Sequence, residues 1–390
     1  MQIGVPKEIK VHEYRVGLVP AAVRELVDAG NSVAVETGAG MGIGATDSDY
    51  KLAGASILPR AEDVFAVADM IVKVKEPQPA ECAMLRPDQL LFTYLHLAAD
   101  PVQASGLCDS GVTAIAYETV TADDGSLPLL TPMSQVAGRM SIQAGAACLE
   151  KAAGGRGILL GGVPGVSPAK VVIIGGGVAG TAAAEIAIGM QADVTILDVS
   201  LARLAELSAR FGNQVKTAYS TSGSLHAHTS DADLVIGAVL IPGHTAPKIL
   251  TREMIKKMKP GSVVVDIAID QGGCFETSVP TTHAEPTYVI DDVVHYCVAN
   301  MPGAVPCTSS FALNCATLPF VKQLADLGWR QAIVANPHLK NGLTVHAGSI
   351  VHKGVAEDLG MDYQDLERLI PASTISNTDT RHPSAHSAGI

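Results

Sequence analysis

Three polar side chains follow apolar runs in the first third of the chain. Arg15 stands in EYRVGLVP, Lys75 ends the run IVKVK before Pro77, and His96 closes LFTYLH. Each run is typical of a buried strand, and ligands of open α/β sheets bind beyond the carboxyl ends of such strands. We therefore expect the three side chains to lie close to one another.

Their chemistry is complementary. An arginine binds a carboxylate through two parallel hydrogen bonds, a lysine polarises a carbonyl oxygen, and a histidine exchanges protons near neutral pH. A small carboxylic acid that is oxidised at its α-carbon would use all three groups. Taken singly, Arg15 also fits a surface ion pair and His96 a core histidine. Lys73 and Lys75 point to the same face of their strand, so one of them also fits plain solvent cover.

A fourth candidate, Asp270, follows the apolar run VVVDIAI and precedes Gly272 and Gly273. In a cleft it would face both a cofactor and the substrate, where it would orient ammonia or stabilise a cationic intermediate. An aspartate that bonds its own turn is the alternative. The chain has no H-E-x-x-H and no EF-hand loop, so we expect no metal site.

The segment VVIIGGGVAGTAAAEIAIGMQADVTILD predicts a dinucleotide site. Gly175, Gly177 and Gly180 fit G-x-G-x-x-G between a strand and an alanine-rich helix. In that motif the first glycine allows a tight turn, the second lets the backbone approach a pyrophosphate, and the third lets helix and strand pack closely. Val178 and Ala179 begin the helix, whose free N–H groups attract the anion.

Asp198 closes the next strand, where a carboxylate accepts hydrogen bonds from ribose hydroxyls. It would repel the additional phosphate of NADP, so the sequence favours NAD. Arg203 lies one helical turn later and could meet such a phosphate, which leaves NADP open. A structural Rossmann unit with Asp198 at its surface is the plain alternative.

Length, composition and charge narrow the class of protein. The 390 residues suggest two or three domains at ~100–200 residues each. Hydrophobic residues make up 47% and charged residues 17% of the chain, as in α/β proteins with buried strands. The net charge of −12 without a basic block argues against nucleic acid or anionic membranes as partners. The seven cysteines form no C-x-x-C and predict buried, reduced thiols.

Short apolar runs alternate with helical patterns almost throughout the chain. This alternation predicts an α/β fold of two Rossmann-like, doubly wound parallel-sheet domains. A long helix is expected over 131–151, with Thr131 as its N-cap, and a second is expected to be capped by Thr308 or Ser309. Two long helices that bracket one domain imply that the first domain is discontinuous, with a cleft between the two.

We place the substrate domain at 1–130 and 305–370, the dinucleotide domain at 131–304, and a polar, mobile tail at 371–390. The first residues show no signal-peptide pattern, and the longest weakly charged stretch is shorter than the ~20 residues of a membrane span. We therefore expect a soluble, cytoplasmic protein.

Several of these segments together resemble the L-alanine dehydrogenase family. The resemblance rests on GVPKEIK, EYRVGLVP, KVKEP, TYLHLA and the glycine segment, and it covers positions 1–370. It implies a discontinuous catalytic domain, an NAD-binding Rossmann domain, and usually a hexamer. It also implies that L-alanine, NAD and water are converted reversibly to pyruvate, ammonium and NADH. The chain departs from the family at His12, where the family usually has Asn, and in RVGLVP, where many members have RVALTP.

The resemblance also implies roles for individual residues. Arg15 would bind the substrate carboxylate, Lys75 its carbonyl oxygen, His96 would be the acid/base, and Asp270 would be the second essential polar group. The cofactor would contact Ser134, Asp198, Arg203, Ser220, Val239, Leu240, Ile267, Ala268, Ile269, Asp270, Val298, Ala299, Asn300 and Met301.

Three alternatives stay open. The NAD-binding subunit of a proton-translocating transhydrogenase shares such motifs, but it typically carries Arg-Ala-Gln-x-x-Asp where this chain has SQVAGRMSIQ. A related amino acid dehydrogenase of the saccharopine type would need a larger, more polar pocket. A catalytically inactive relative is disfavoured because all four candidate polar residues are present.

Overall fold

The computed structural model describes residues 1–239 and 246–369. The strands are β1 (Gln2–Val5), β2 (Ser32–Glu36), β3 (Ser56–Leu58), β4 (Met70–Val72), β5 (Leu90–Thr93), β6 (Thr113–Ala116), β7 (Lys170–Ile174), β8 (Asp193–Asp198), β9 (Val215–Tyr219), β10 (Leu234–Gly237), β11 (Val263–Asp266), β12 (Thr287–Ile290), β13 (Val293–Tyr296), β14 (Leu343–His346) and β15 (Ser349–Ile350). The expected tail over 371–390 lies outside the described residues.

The α-helices alternate with the strands over most of the chain. They are α1 (Pro20–Asp28), α2 (Asp47–Leu52), α3 (Ala61–Val67), α4 (Pro79–Cys82), α5 (Pro101–Ser110), α6 (Thr131–Cys148), α7 (Val178–Gly189), α8 (Leu201–Phe211), α9 (Ser222–Ser230), α10 (Arg252–Ile255), α11 (Pro306–Ala335), α12 (Pro337–Lys340), α13 (Lys353–Leu359) and α14 (Leu366–Leu369).

The strands of the described ranges form two sheets, which confirms the predicted α/β class with two Rossmann-like sheets. The first has the order β15-β14-β6-β5-β4-β1-β2-β3, and the second has the order β12-β13-β11-β10-β7-β8-β9. Strand β14 pairs antiparallel with β6, so the chain returns to the first sheet after completing the second. The boundaries 1–130, 131–304 and 305–370 stay a prediction.

The sheets are not purely parallel, which corrects one detail of the prediction. Strand β12 pairs antiparallel with β13, and β14 pairs antiparallel with both β6 and β15. The link between β12 and β13 is a tight turn in which Asp291 and Asp292 both have positive φ, at 50° and 60°. Two successive left-handed residues are the geometry of a short hairpin turn.

The central strands of both sheets are buried on both faces. In β5, Leu90 and Phe92 pack into one apolar cluster while Leu91 packs into another on the opposite face. In β7, Val171 and Val172 separate in the same way. Near-continuous apolar strands of this kind are what a parallel sheet covered by helices requires.

The two long helices begin differently from the prediction. Thr131 is the first residue of α6 rather than a cap, and its hydroxyl donates to the carbonyl of Leu127 at 3.0 Å. Helix α11 begins at Pro306, before both expected caps, and the Ser309 hydroxyl donates to the carbonyl of Pro302 at 2.7 Å. Because proline lacks an N–H, it suits the first turn of a helix and removes the need for one cap.

Helix α6 links the two halves of the molecule. Its first turns place Met133 and Val136 in the core of the first sheet, and its later turns place Ile142 and Cys148 in the core of the second. Helix α11 returns to the first core through Leu313 and other apolar residues.

All seven cysteines are free thiols. Five are buried or half-buried, but Cys307 and Cys315 on α11 are exposed, so the expectation that all are buried was wrong for these two. The pattern of apolar neighbours in the sequence did not reveal which face of α11 points outward.

A buried ion cluster lies beneath the end of β4. The Lys73 ammonium is fully buried and lies 2.6 Å from Glu81 Oε1 and 3.1 Å from Glu8 Oε2. Burial raises the pKa of Glu8 even though Lys73 opposes that effect. Lys73 is therefore a structural residue and not the solvent cover that the sequence allowed.

We predict that Lys73→Met will destabilise the fold by about 3–5 kcal/mol, because two buried carboxylates lose their counter-charge. Chemical denaturation measures this change in the free energy of unfolding. Lys216→Met is the control, since Lys216 pairs with Asp193 at the surface and its side chain is 66% exposed. Equal effects of the two substitutions would contradict a stabilising role for the buried cluster.

Candidate functional site

The strand-end residues meet in one cavity between the two sheets. Strands β1, β4 and β5 are parallel neighbours, so the segments that follow them emerge at the same edge. Arg15, Lys75 and His96 line a cavity of about 100 Å³ together with Asp270, which follows β11 of the second sheet. The remaining lining residues are Tyr94, Leu130, Met133, Ser134, Ala137, Ile267, Ala268, Gln271, Val298, Asn300, Met301 and Pro302.

Arg15 is held by a carboxylate from its own loop. Its Nε and Nη2 donate to Glu13 Oε1 and Oε2 at 2.8 and 2.6 Å, and Nη2 also donates to Asn300 Oδ1 at 2.7 Å. Burial alone would raise the pKa of Glu13, but the charge and hydrogen bonds of Arg15, with one from Asn300, lower it to about 2. Glu13 therefore fixes the orientation of the guanidinium and balances its charge along one edge.

Lys75 has a carboxylate close to its ammonium. Its side chain is buried, and Nζ lies 3.9 Å from Glu76 Oε2. Burial acts to raise the pKa of the Glu76 carboxyl, but nearby positive charges, chiefly Lys75 and Lys10, have the larger effect, so the pKa is lowered. A cation in a cavity wall suits an oxygen on which negative charge develops.

His96 lines the cavity from an unusual backbone conformation. It has φ 50° and ψ 36°, the left-handed region that favours glycine. Its N–H donates to Glu118 Oε1 at 2.6 Å, and the Leu95 N–H lies 3.2 Å from both oxygens of the same carboxylate. The ring stacks on Tyr94 with 5.7 Å between centroids. Glu118 therefore stabilises the strained turn that aims the imidazole.

Asp270 does not bond its own turn, which disfavours that alternative. Its Oδ1 accepts from the backbone N–H of Asn300 at 3.1 Å, and its side chain is exposed to the cleft. Asp266 instead fills the structural role, accepting from the N–H groups of Ala268 and Cys274 at 3.1 and 2.9 Å. Burial raises the pKa of the Asp266 carboxyl.

The glycine loop has the geometry that each glycine of the motif was expected to provide. Gly175 has φ 98°, and a Cβ there would lie 2.7 Å from the carbonyl oxygen of Ala238. A Cβ on Gly180 would lie 1.8 Å from the Gly175 oxygen, so helix α7 and strand β7 pack too closely for a side chain. A Cβ on Gly177 would meet nothing within 4 Å, which leaves open space at the helix N-terminus.

Asp198 and Arg203 both bind the glycine loop. Asp198 Oδ2 accepts from the Gly176 N–H at 2.7 Å, while Arg203 Nε donates to the Gly176 oxygen at 2.7 Å. The other Arg203 nitrogens donate to Thr181 Oγ1 at 2.8 Å and to Glu206 Oε2 at 2.6 Å. Each of the three Arg203 guanidinium nitrogens thus donates one hydrogen bond within the protein, to the glycine loop, to α7 or to α8.

A second cavity of about 280 Å³ adjoins the first. It is lined by Gly125, Ser126, Leu127, Leu130, Thr131, Ser134, Gly177, Val178, Ala179, Ala238, Val239, Ile267 and Ala268. Four of these residues, Leu130, Ser134, Ile267 and Ala268, also line the catalytic cavity. The residues here that could hold a dinucleotide are those at the N-terminus of α7, Gly177, Val178 and Ala179, which line this cavity.

The expected cofactor residues fall into two groups in the structure. Eleven line one of the two cavities: Ser134, Gly177, Val178, Ala179, Val239, Ile267, Ala268, Asp270, Val298, Asn300 and Met301. Ile269 and Ala299 line neither cavity. Gly175, Gly180, Asp198, Arg203 and Ser220 instead build or border the glycine loop; the Ser220 N–H, for example, donates to the Asp198 carbonyl at 2.9 Å. Leu240 lies outside the described residues.

The sequence analysis missed several residues of the site. Glu13 binds the Arg15 side chain, Glu76 lies near the Lys75 ammonium, Glu118 accepts from the backbone N–H of His96, and Tyr94 stacks on the His96 ring. Gln271 lines the cavity with a buried Oε1 that has no hydrogen-bond partner. Glu13 and Glu76 adjoin predicted residues in the chain, so a search for carboxylates next to each cation would have found them.

The part of the chain that the structure describes contains neither a metal-binding cluster nor a membrane-spanning helix. No group of three or more His, Cys, Asp or Glu side chains is arranged to hold a metal ion. Across the same residues, every helix is too short or too polar to cross a membrane.

Comparisons with known proteins agree with this geometry. The models of the alanine dehydrogenase/PNT N-terminal and C-terminal domains match residues 4–137 and 141–353. An alanine dehydrogenase of Halomonas elongata is 57% identical over 95% of this chain and 100% of its own length. A solved L-alanine dehydrogenase superposes with a TM-score of 0.88 at 53% identity, covering 92% of this chain and 99% of that one. A transhydrogenase from Sinorhizobium meliloti superposes with a TM-score of 0.78 at 26% identity, covering 90% and 100%.

The fold and the two adjoining cavities define a Rossmann-type amino acid dehydrogenase. The chain belongs to the alanine dehydrogenase/PNT family, which confirms the resemblance found in its motifs.

We predict that Gly177→Ala will fold normally but bind NADH about tenfold more weakly or worse, because its methyl group occupies the space of the pyrophosphate. Gly180→Ala is the contrasting variant, since its methyl group overlaps the Gly175 carbonyl and should lower the thermal midpoint. NADH fluorescence titration and thermal unfolding measure the two effects. Parental NADH affinity in Gly177→Ala would mean that the pyrophosphate lies elsewhere.

We predict that Glu118→Ala will lower kcat by about tenfold to a hundredfold, because the imidazole of His96 loses its alignment. NADH affinity should remain unchanged, since Glu118 does not line the cofactor cavity. Glu118→Gln should fall between the parent and Glu118→Ala, because it keeps one acceptor oxygen. Thr119→Ala in the same turn is the control, and an equal loss of kcat there would contradict a specific role for the carboxylate.

Proposed function

We propose that the protein catalyses NAD-dependent oxidative deamination of L-alanine to pyruvate and ammonium, and the reverse reductive amination. The observation that carries the proposal is that Arg15, Lys75, His96 and Asp270 line one small cavity that opens into the glycine-loop groove. The similarity to proteins named alanine dehydrogenase supports the same reaction.

The size and charge of the cavity suit a small amino or keto acid. At about 100 Å³ it is the smaller of the two adjoining cavities, the other being about 280 Å³. Arg15 would bind the carboxylate and Lys75 the carbonyl oxygen of pyruvate. Leu130 and Met133 leave an apolar wall for a methyl group, which disfavours the larger, more polar substrates of saccharopine-type enzymes.

His96 would transfer protons during the reaction, and Asp270 would stabilise positive charge. When bound, NAD accepts a hydride from the α-carbon of alanine, leaving an iminium carbon. His96 would take a proton from the water that attacks this carbon and return it to the nitrogen of the carbinolamine. As the C–N bond breaks and ammonia leaves, His96 would take the proton of the carbinolamine hydroxyl, which becomes the carbonyl of pyruvate, and ammonia is protonated to ammonium in water. Asp270 would stabilise the cationic iminium from the opposite side of the cleft. In amination, His96 would protonate the oxygen that leaves as water.

The cofactor preference would be set beside Asp198. The additional phosphate on the ribose of NADP would be repelled by the Asp198 carboxylate, while Arg203 already donates a hydrogen bond to the glycine loop. We also propose, from the family resemblance alone, a homo-hexamer that works in the cytoplasm. Light scattering of the purified protein tests the subunit count.

The structural similarity to a transhydrogenase supports one alternative, an NAD-binding module that exchanges hydride with a second nucleotide-binding subunit. It does not need Arg15, Lys75 and His96 in one cavity. Such a module would bind NADH without oxidising any amino acid.

We predict NADH formation from L-alanine and NAD, with little turnover of NADP. His96→Ala should lower kcat by about a hundredfold or more, because proton transfer by a positioned side chain is lost. His228→Ala is the control, since His228 on α9 lines neither cavity. NADH binding without turnover of alanine would support the transhydrogenase-like alternative, and full activity of His96→Ala would make His96 a packing residue.

A further inference from the structure

The donors of Arg15 are unevenly occupied. A guanidinium has five N–H donors: one on Nε and two on each Nη. Glu13 takes the Nε donor and one Nη2 donor, and Asn300 Oδ1 takes the other Nη2 donor at 2.7 Å. Nη1 contacts Met133 Sδ at 3.1 Å, and a thioether sulfur is a weak acceptor. Nη1 is therefore the nitrogen left for a ligand.

This occupancy limits how a substrate carboxylate can bind. A carboxylate binds arginine best through two parallel N–H groups. The Nε–Nη2 edge is closed by Glu13, whose pKa is held at about 2, so Glu13 stays ionised near neutral pH. The Nη1–Nη2 end remains, but one of its N–H groups donates to Asn300. A bidentate carboxylate must displace the carboxamide of Asn300.

We propose that Asn300 is a positioning residue that occupies the carboxylate site of Arg15 until the substrate displaces its side chain. The inference rests on the proposed function, because it needs a carboxylate substrate at Arg15. The exchange is favourable because a substrate carboxylate carries a charge opposite to that of the guanidinium and accepts two parallel hydrogen bonds, whereas the neutral carboxamide accepts one.

The orientation of the Asn300 carboxamide follows from its neighbours. Oδ1 faces the Arg15 donor, and Nδ2 donates to Glu13 Oε2 at 2.8 Å. The reverse orientation would place a donor against a donor and an acceptor against an acceptor. A Cβ on Gly303 would lie 2.6 Å from Nδ2, so this glycine leaves the space that the carboxamide needs.

Asn300 also joins the two sides of the cleft. Its left-handed backbone, with φ 64°, directs its N–H to Asp270 Oδ1 at 3.1 Å. Asp270 follows a strand of the second sheet, whereas Glu13 and Arg15 follow β1 of the first. Displacement of the Asn300 side chain from Arg15 would therefore be transmitted through the Asn300 backbone to Asp270, whose carboxylate faces the reacting nitrogen.

Two variants separate displacement from direct binding. Asn300→Gly removes the carboxamide while keeping the left-handed backbone and its N–H. Asn300→Asp keeps the shape but places a permanent carboxylate on Nη2, next to Glu13. The readout is the Kd of oxamate, an isostere of pyruvate that accepts no hydride, measured by calorimetry on the NADH-bound enzyme.

We expect Asn300→Gly to bind oxamate as tightly as the parent or more tightly, with a lower kcat. Asn300→Asp should weaken oxamate about tenfold or more, because like charges then compete for one guanidinium. The NADH Kd is measured first in each variant and oxamate is titrated at saturating NADH, so that a change in cofactor affinity is separated from the change in oxamate affinity. Gly303→Ala, which shifts the carboxamide without deleting it, should resemble Asn300→Gly.

Equal weakening of oxamate in Asn300→Gly and Asn300→Asp would overturn the proposal, since Asn300 would then be a direct ligand or a general support. Unchanged affinity in both would overturn it as well. When Arg15 is also replaced by lysine, the difference in oxamate Kd between the two variants should shrink, because lysine lacks the parallel N–H groups for which the carboxylates compete. Oxamate binding requires no turnover, so failure to oxidise alanine would reject the proposed function while this series still decides the inference. Failure of the parent to bind oxamate would overturn the inference.

Discussion

The parallel pairing of β1, β4 and β5 is the constraint on which the site depends. Because these strands are neighbours and run in one direction, their following segments deliver Arg15, Lys75 and His96 to one edge of the first sheet. The return of the chain through β14 completes that sheet, and α6 links it to the glycine-loop sheet. Hydride transfer needs a substrate and a nicotinamide in contact, and the linked sheets provide adjoining cavities for them.

Carboxylates hold the three strand-end residues from the side or from behind. Glu13 binds the side edge of Arg15, Glu76 lies beside Lys75, and Glu118 holds the backbone of His96 without bonding its ring. A buried cation without a counter-charge would be strongly destabilising. With the carboxylates placed in this way, the faces that point into the cavity remain available for a ligand.

The strand-end residues could be predicted because the rule that locates them needs only apolar runs and the residue that follows each one. The glycine loop could be predicted because its roles lie within six consecutive positions, 175–180. The contacts of Glu118 with His96 and of Asn300 with Arg15 could not, since they span 22 and 285 residues of sequence; Asn300 was expected only as a cofactor contact. The hairpin between β12 and β13 carries no glycine signal in the sequence, because its turn is Asp291–Asp292, although both residues have positive φ.

The left-handed residues of the site reveal how the fold and the chemistry are connected. His96 and Asn300 each adopt positive φ without being glycine, and each has its backbone N–H bonded to a carboxylate, Glu118 or Asp270. Such conformations cost of order 1–3 kcal/mol and persist only when the surroundings determine them. Each strained turn aims a side chain at the same cavity, so the free energy of folding holds the site in the geometry that binding requires.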